Sequence, residues 1–266
     1  MIQSQWMTVT TAIVTEELKI FLFLLINYTW MLLPDLYIHR GIVHRQVIFS
    51  TALTNVVKLI CWSRTTKYRE SDIKYWAATH LKHHAYPDTI DDPQSPHFYS
   101  TKFLIKYGRD RISDEDTEKF TKNYISQRTT LDDFLEKYSY GPSVLLLCCF
   151  FIFSWWGLAV WVSLMLTNYY SSIANILFHK LSGYRNAESL RSSDRSRNIF
   201  PVGILMGGEE LHGNHHRWPE RANFAVRKWE FDIGYWALKV FEIFKLVRIV
   251  SNNNNIIKNL KATRYS

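Results

Sequence analysis

The clearest feature of the hydrophobic pattern is a run of 42 residues, Tyr138 to His179, that contains no Asp, Glu, Lys or Arg. One helical crossing of a bilayer needs about 20 apolar residues. The run is twice that length, with Trp155-Trp156-Gly157 near its middle. It predicts a helical hairpin with crossings near 142–156 and 158–178, its tryptophans at a membrane interface. A buried helix pair in a soluble protein is the alternative, and the length without charge disfavours it. A second apolar segment, Ile20 to Ile38, predicts a crossing near 19–38 that ends directly at His39. Pro34 and Asp35 predict a bend and a polar environment at its end. The stretch 47–62 is apolar, but it has only 16 residues and carries Asn55 and Lys58. It cannot cross twice, so it is expected to lie in the interface or to dip in and return. The first 17 residues lack the basic region and cleavage site of a secretory signal, so a retained N-terminus is expected. The tail SNNNNIIKN reads as a low-complexity, frayed end.

These elements imply one all-α domain over residues 1–266, an integral membrane helical protein with polar lobes at 63–137 and 180–266. The chain's mean hydropathy of −0.16 conceals this division. Its formal charge is +8. In the second lobe 15 basic residues face 8 acidic ones, and in the first there are 13 of each. The positive-inside rule then places the lobes in the cytoplasm. Arg185, Arg191, Arg195 and Arg197 could meet anionic headgroups or a phosphorylated carrier, although such charges are more often a solvated or topology-setting face. Cys61, Cys148 and Cys149 show neither disulfide nor zinc spacing and read as apolar fillers.

The chemistry is carried by histidine. Nine of the ten histidines form three clusters and a singlet: His39 and His44; His80, His83 and His84; His212, His215 and His216; and His179, four residues after Asn175. The second and third clusters share the spacing H-x-x-H-H. On a helix His80 and His84 face the same way, and His83 points about 100° around the axis from His84. One motif can therefore offer two nitrogens to one metal and a third to its neighbour, and two such motifs could serve two metals in crossed fashion. His39 and His44, five apart, would converge better if the helix ends or distorts near Gly41. His97 follows Pro96 in a loop and stands outside the pattern.

Membrane parity supports this arrangement. His84 and His179 can share a side only if an even number of crossings separates them, and the uncharged run supplies two. Neutral nitrogen donors suit iron, copper, zinc or nickel, while the lack of clustered thiolates argues against structural zinc or iron–sulfur sites. Two redox-active irons beside a bilayer suit activation of dioxygen against an unreactive C–H bond of a lipid chain. A non-enzymatic metal carrier would spread its histidines along the crossings, whereas here they flank them.

The chain resembles the membrane fatty acyl desaturases, most of all the bacterial Δ9 (stearoyl) type acting on acyl-CoA or acyl-lipid. The motifs are H-R-x-x-x-H-R at 39–45, W-x-x-x-H-x-x-H-H at 76–84, T-x-D-D-P-x-S-P at 89–96, N-x-x-x-H at 175–179, G-Y-R-N at 183–186, G-E-E-L-H-x-N-H-H at 208–216 and K-W-E-F-D-I-G at 228–234. The resemblance implies two iron ions, dioxygen as co-substrate and a cis double bond placed at Δ9 in a fatty acyl chain. It implies His39, His44, His80, His84 and His215 on one iron, and His83, His179, His212 and His216 on the other. Asn175 would hold a metal-bound water, and Glu209, Glu210 and Asp92 would accept from ligand N–H groups. One extra residue between His179 and Gly183, and Lys180 after His179, depart from the family pattern. No haem motif, GxGxxG or CxxC pair is present, so electrons are expected from a separate ferredoxin, rubredoxin or flavin reductase. The other expected partners are the bilayer and an acyl group on CoA, a carrier protein or a phospholipid, with no nucleic acid. The metal site is expected on the cytoplasmic side of the membrane, the inner membrane if the chain is bacterial. A membrane hydroxylase of lipids, alkanes or carotenoids shares the same chemistry up to hydrogen abstraction.

Overall fold

The computed structural model describes residues 2–106, 112–126 and 128–250. The tail after Val250, including the low-complexity stretch, lies outside them.

Helix α1 (Ile2–Asp35) leads into a π-helical segment, Leu36–Val43, then strand β1 (Val47–Phe49) and helix α2 (Thr51–Ser63). Helices α3 (Ser71–Ala85), α4 (Thr101–Lys106), α5 (Asp114–Phe120) and α6 (Thr130–Lys137) form the first polar lobe. The uncharged run folds as α7 (Gly141–Phe153), α8 (Trp156–Leu166) and α9 (Tyr170–Lys180). The second lobe carries β2 (Val202–Gly203), α10 (His212–Arg217), β3 (Phe231–Asp232), α11 (Ile233–Ile243) and β4 (Val247–Ile249).

Local chemistry sets many of these boundaries. The Ser50 hydroxyl accepts from Leu53 N at the start of α2, and the Asp232 carboxylate accepts from Tyr235 N at the start of α11. Thr129 and Asp132 form a reciprocal capping box on α6. Pro142 opens α7, where its missing N–H costs nothing. Pro34 sits inside α1 and cannot donate to the carbonyl of Trp30. Arg64, just past α2, supplies the missing donor: its Nη1 reaches Trp30 O at 2.8 Å. The proline thus ties the end of α1 to α2.

The expected hairpin is present, but its helices are shorter than the uncharged run. α7 has 13 residues, about 20 Å of helix, and α8 has 11. They turn at Ser154, which has a left-handed φ of 52°, and close on each other because Gly157 lacks a side chain. A Cβ there would stand 2.4 Å from Cys149 O. Cys149, Val160 and Leu164 form a small core with Phe23, Ile26 and Trp30 of α1. By length and composition, one helix among the described residues qualifies as a span: Glu16–Val43, 28 residues, mean hydropathy 1.5.

The bulk of the chain is helical as expected, and the all-α reading misses two small sheets. β1 pairs antiparallel with β4 (Val47 opposite Ile249), and β2 pairs parallel with β3. The segment 47–62 is accordingly part strand and part helix. Strands of two and three residues are too short to leave a period in the sequence. β1 and β4 join the exit of the π segment to the end of α11, and Leu32, Leu36, Val47, Leu53, Leu238 and Val247 bury one another beside them.

Candidate metal centre

Four elements bring the nine histidines together. The π segment carries His39, α3 carries His80, His83 and His84, α9 carries His179, and α10 carries His212, His215 and His216. His44 follows the π segment, its backbone N donating to His39 O at 3.1 Å. An i→i+5 bond puts residues five apart one full turn from each other. The distortion expected near Gly41 is therefore a π-helix, and it stacks His39 and His44 on one face, ring centroids 4.9 Å apart.

The rings form two groups. His39, His44, His80, His84 and His215 converge in one, and His83, His179, His212 and His216 in the other; within each, one nitrogen per ring lies within 4.8 Å of all the rest. On α3, His80 and His84 serve the first group and His83 the second. On α10 the sense is reversed, with His212 and His216 in the second group and His215 in the first. The groups touch where His84 and His216 stack at 4.4 Å.

The donor set fits a pair of cations. Nε2 of His215 lies 3.0 Å from Nε2 of both His39 and His84, and His84 Nε2 lies 3.0 Å from His80 Nε2. In the second group His83 and His216 face each other through Nε2 at 3.2 Å. On five of the rings Nδ1 already faces an acceptor. His39 donates to Glu209 at 3.2 Å, His80 to Gln94 at 3.2 Å, His83 to Asp92 at 2.8 Å and His179 to Asp88 at 2.7 Å. Asp194 stands 3.4 Å from His216 Nδ1. Where both rings are so engaged, as His83 and His216 are, the two Nε2 atoms present lone pairs to each other, which is repulsive unless a cation lies between. Right-angle neighbours around an ion with bonds of about 2.1 Å stand about 3.0 Å apart. Nε2 of His44, His179 and His212 finds no hydrogen-bond partner among the described residues.

Electrostatics point the same way. Burial drives His80, His84, His212 and His215 well below the usual imidazole range, and their histidine neighbours push further down. They are neutral, the form that binds metal. Burial pulls His83 down too, but the Asp92 carboxylate outweighs it. Burial opposes ionisation of Asp88 and Asp194 as well; contacts to His179 and His216 respectively, with backbone N–H donors, hold both well below the carboxylate norm.

Among the expected acceptors, Glu209 and Asp92 stand against His39 and His83. Glu210 does not follow the expectation. Its side chain turns back to accept from the backbone of Met206 at 2.8 Å and Gly208 at 3.3 Å, closing the turn that carries both glutamates. Asp88, Asp194 and Gln94 escaped the sequence reading, since loops bring them in and no spacing ties them to their histidines. Asn175 donates through Nδ2 to Gln94 O at 2.7 Å, leaving a buried Oδ1 with no hydrogen-bond partner among the described residues. His97 stands apart: its Nε2 donates to His179 O at 3.0 Å, and Arg195 donates to its Nδ1 at 3.2 Å.

Two adjoining cavities approach the histidines from the α1 side. One of about 30 Å³ is lined by Asp35, His39, Trp76, Tyr170, Asn175 and His212 among others. The other, about 150 Å³, continues outward past Met31, Pro34, Ile38, Arg64 and Asn168. A third, about 210 Å³, reaches His84 and His216 from beside Arg191 and Asp194. A larger cavity of about 310 Å³ lies behind Gly41 and Ile42, and no histidine lines it.

A sequence profile of the fatty acid desaturase family matches residues 18–230. The chain belongs to the fatty acid desaturase family. Among curated proteins, this desaturase-family chain is 26% identical over 186 residues to Delta-9 acyl-lipid desaturase 1 of Arabidopsis thaliana, covering 64% of this chain and 56% of that one. It is 27% identical over 183 residues to the sn-2 palmitoyl-lipid 9-desaturase of Nostoc sp. (strain 36), covering 66% and 62%. It is 24% identical over 200 residues to the acyl-CoA C20 Delta5-desaturase of Anemone leveillei, covering 71% and 61%. The matches thus span less than two thirds of these relatives' own length. The two histidine groups are compatible with a metal site.

Proposed function

We propose that the chain desaturates a fatty acyl chain, placing a cis double bond at Δ9 with two irons held by the nine histidines. The observation that carries this reading is the pair of imidazole groups, five and four, in each of which one nitrogen per ring lies within 4.8 Å of all the others. Bound iron would supply the reduction of dioxygen that drives removal of two hydrogens from the acyl chain. With two electrons from a donor outside these 266 residues and two protons, the products are the olefin and two waters.

The chain's own residues do the rest. Glu209, Gln94, Asp92, Asp88 and Asp194 fix which ring nitrogen carries hydrogen and aim the other inward. Asn175 Oδ1, with no hydrogen-bond partner among the described residues, would be available to a water on bound metal. Trp76, Tyr170 and Ala174 wall the inner cavity and keep bulk water from the reacting carbon. The outward cavity past Met31, Pro34 and Ile38 would admit the acyl chain. α1 and the α7–α8 hairpin embed in the bilayer in this reading, and the two lobes form one cytoplasmic cap over the irons. Relatives described as acyl-lipid 9-desaturases favour a lipid-linked substrate and the Δ9 position.

Mass spectrometry of membrane lipids with double-bond localisation, from a host with and without the gene and with iron and a reductase supplied, tests this. A new Δ9 monounsaturated species is expected. A hydroxylated product, or an unchanged profile from an iron-loaded protein, would overturn it.

A further inference from the structure

Helix α11 has two apolar faces. One is inside: Leu238 is fully buried, and Ala237 and Phe241 pack with it against Leu32 of α1 and Leu36 of the π segment. The other looks outward. Trp236, Val240, Ile243 and Phe244 are 53%, 47%, 76% and 69% exposed. They fall at i, i+4, i+7 and i+8, a single stripe along the helix. A helix on the surface of a soluble protein would be polar there.

The stripe continues into other outward apolar groups. The start of α11 abuts the turn before the glutamates, where a Cβ on Gly234 would stand 2.2 Å from Gly207 O. In that turn Ile204 and Leu205 are exposed, and the Tyr28 hydroxyl of α1 donates to Ile204 O. One turn before Tyr28, Leu24 and Leu25 are exposed on the apolar span. Basic side chains flank the stripe: Lys239, which pairs with Glu242 at 2.6 Å, and the exposed Lys245 and Arg248. An apolar stripe edged by cations suits a helix lying in a headgroup layer with anionic lipid.

We infer that the outer face of α11 is a bilayer-docking surface that lies in the interface plane with Trp236, Val240, Ile243 and Phe244 turned into the acyl region. This rests on the reading of α1 as embedded in the membrane. α11 grips α1 at Leu32 and the π segment at Leu36, beside Met31 and Pro34, which line the outward cavity. Docking α11 therefore fixes the depth of that opening, so that an acyl chain enters sideways from the bilayer.

Spin labels read the depth. In a background with Cys61, Cys148 and Cys149 changed to alanine, Ile243→Cys and Phe244→Cys are labelled in the full chain. The protein is placed in nanodiscs of phosphatidylcholine and phosphatidylglycerol. Leu147→Cys on the exposed face of α7 reports the membrane reading itself, and Glu220→Cys is the water reference. Labels at 243 and 244 are expected to collide more with dissolved oxygen than with a water-soluble nickel chelate, as at 147 and opposite to 220. Labels at 243 and 244 that behave like 220, while 147 stays lipid-exposed, overturn the docking face and leave the membrane reading standing. A label at 147 that reads as water overturns both. Shielding of 243 and 244 from both reagents, with dipolar broadening, means that a second copy covers the stripe, and also overturns the inference.

Discussion

Asp88→Asn isolates one arm of the proposed metal centre. Asp88 is fully enclosed, and three donors use its two oxygens. Oδ2 accepts from His179 Nδ1 at 2.7 Å and from Arg195 N at 2.8 Å, and Oδ1 accepts from the Ser95 hydroxyl at 2.9 Å. Asparagine keeps the shape but has only one acceptor oxygen. Either His179 faces an NH₂ donor, or the amide turns and strands the Ser95 hydroxyl; in both cases the negative charge on His179 is lost. A hydrogen bond to a charged group is worth about 1.5–3 kcal/mol. That agrees with the roughly 10–100-fold loss of metal affinity seen when a ligand's supporting acceptor is removed. The loss should fall on the group of His83, His179, His212 and His216. The other group keeps Glu209 on His39 and Gln94 on His80, so its affinity should fall clearly less than that of the His179 group. Iron titration of the purified chain against a competing chelator resolves the two sites, and circular dichroism of the apo-protein shows that the variant is folded. Equal weakening of both sites, or of neither, in a folded variant would refute the pairing of Asp88 with one ion. Glu209→Gln should show the mirror-image result.

Other perturbations separate ligands from scaffold. His83→Ala or His215→Ala should abolish olefin formation and lower iron stoichiometry, whereas His97→Ala should leave two irons per chain by elemental analysis. Arg40 is fully buried, pairs with Asp232 at 2.9 Å and lies over the Phe224 ring at 3.8 Å. Arg40→Met leaves the buried Asp232 carboxylate with backbone N–H donors but without its cation, at a cost of about 3–5 kcal/mol; thermal denaturation should fall by on the order of 10 °C, and adding Asp232→Leu should recover part of it. Gly157→Leu forces a side chain into Cys149 O at the α7–α8 contact. Its hairpin should be cut by protease faster than wild type, and an unchanged digestion rate would show that the close approach does not hold the arms together.

The histidine constellation was readable from the chain because metal ligation imposes local spacings. H-x-x-H-H on a helix divides its rings between two directions, and the five-residue step from His39 to His44 favoured an end or distortion of the helix, which proves to be a π turn. Asp92 was within reach because it follows its motif closely. Asp88 and Asp194 were not, because each arrives from a loop whose path depends on the whole fold. Adjacent glutamates gave no hint that Glu209 turns to His39 while Glu210 closes its own turn. The uncharged run revealed a hairpin but overstated its helices. Absence of charge reports the solvent a segment avoids; Ser154 and the Thr167–Tyr169 turn set where its helices stop. The paired strands β1 and β4 are non-local and short, so nothing in the chain's period announced them.

Anomalous diffraction across the iron edge, on crystals of the chain from iron-supplemented cells, tests the central claim most directly. Two iron peaks per chain are expected, one inside His39, His44, His80, His84 and His215, the other inside His83, His179, His212 and His216. A single peak, peaks outside these rings, or a signal that appears only at the zinc edge would contradict it.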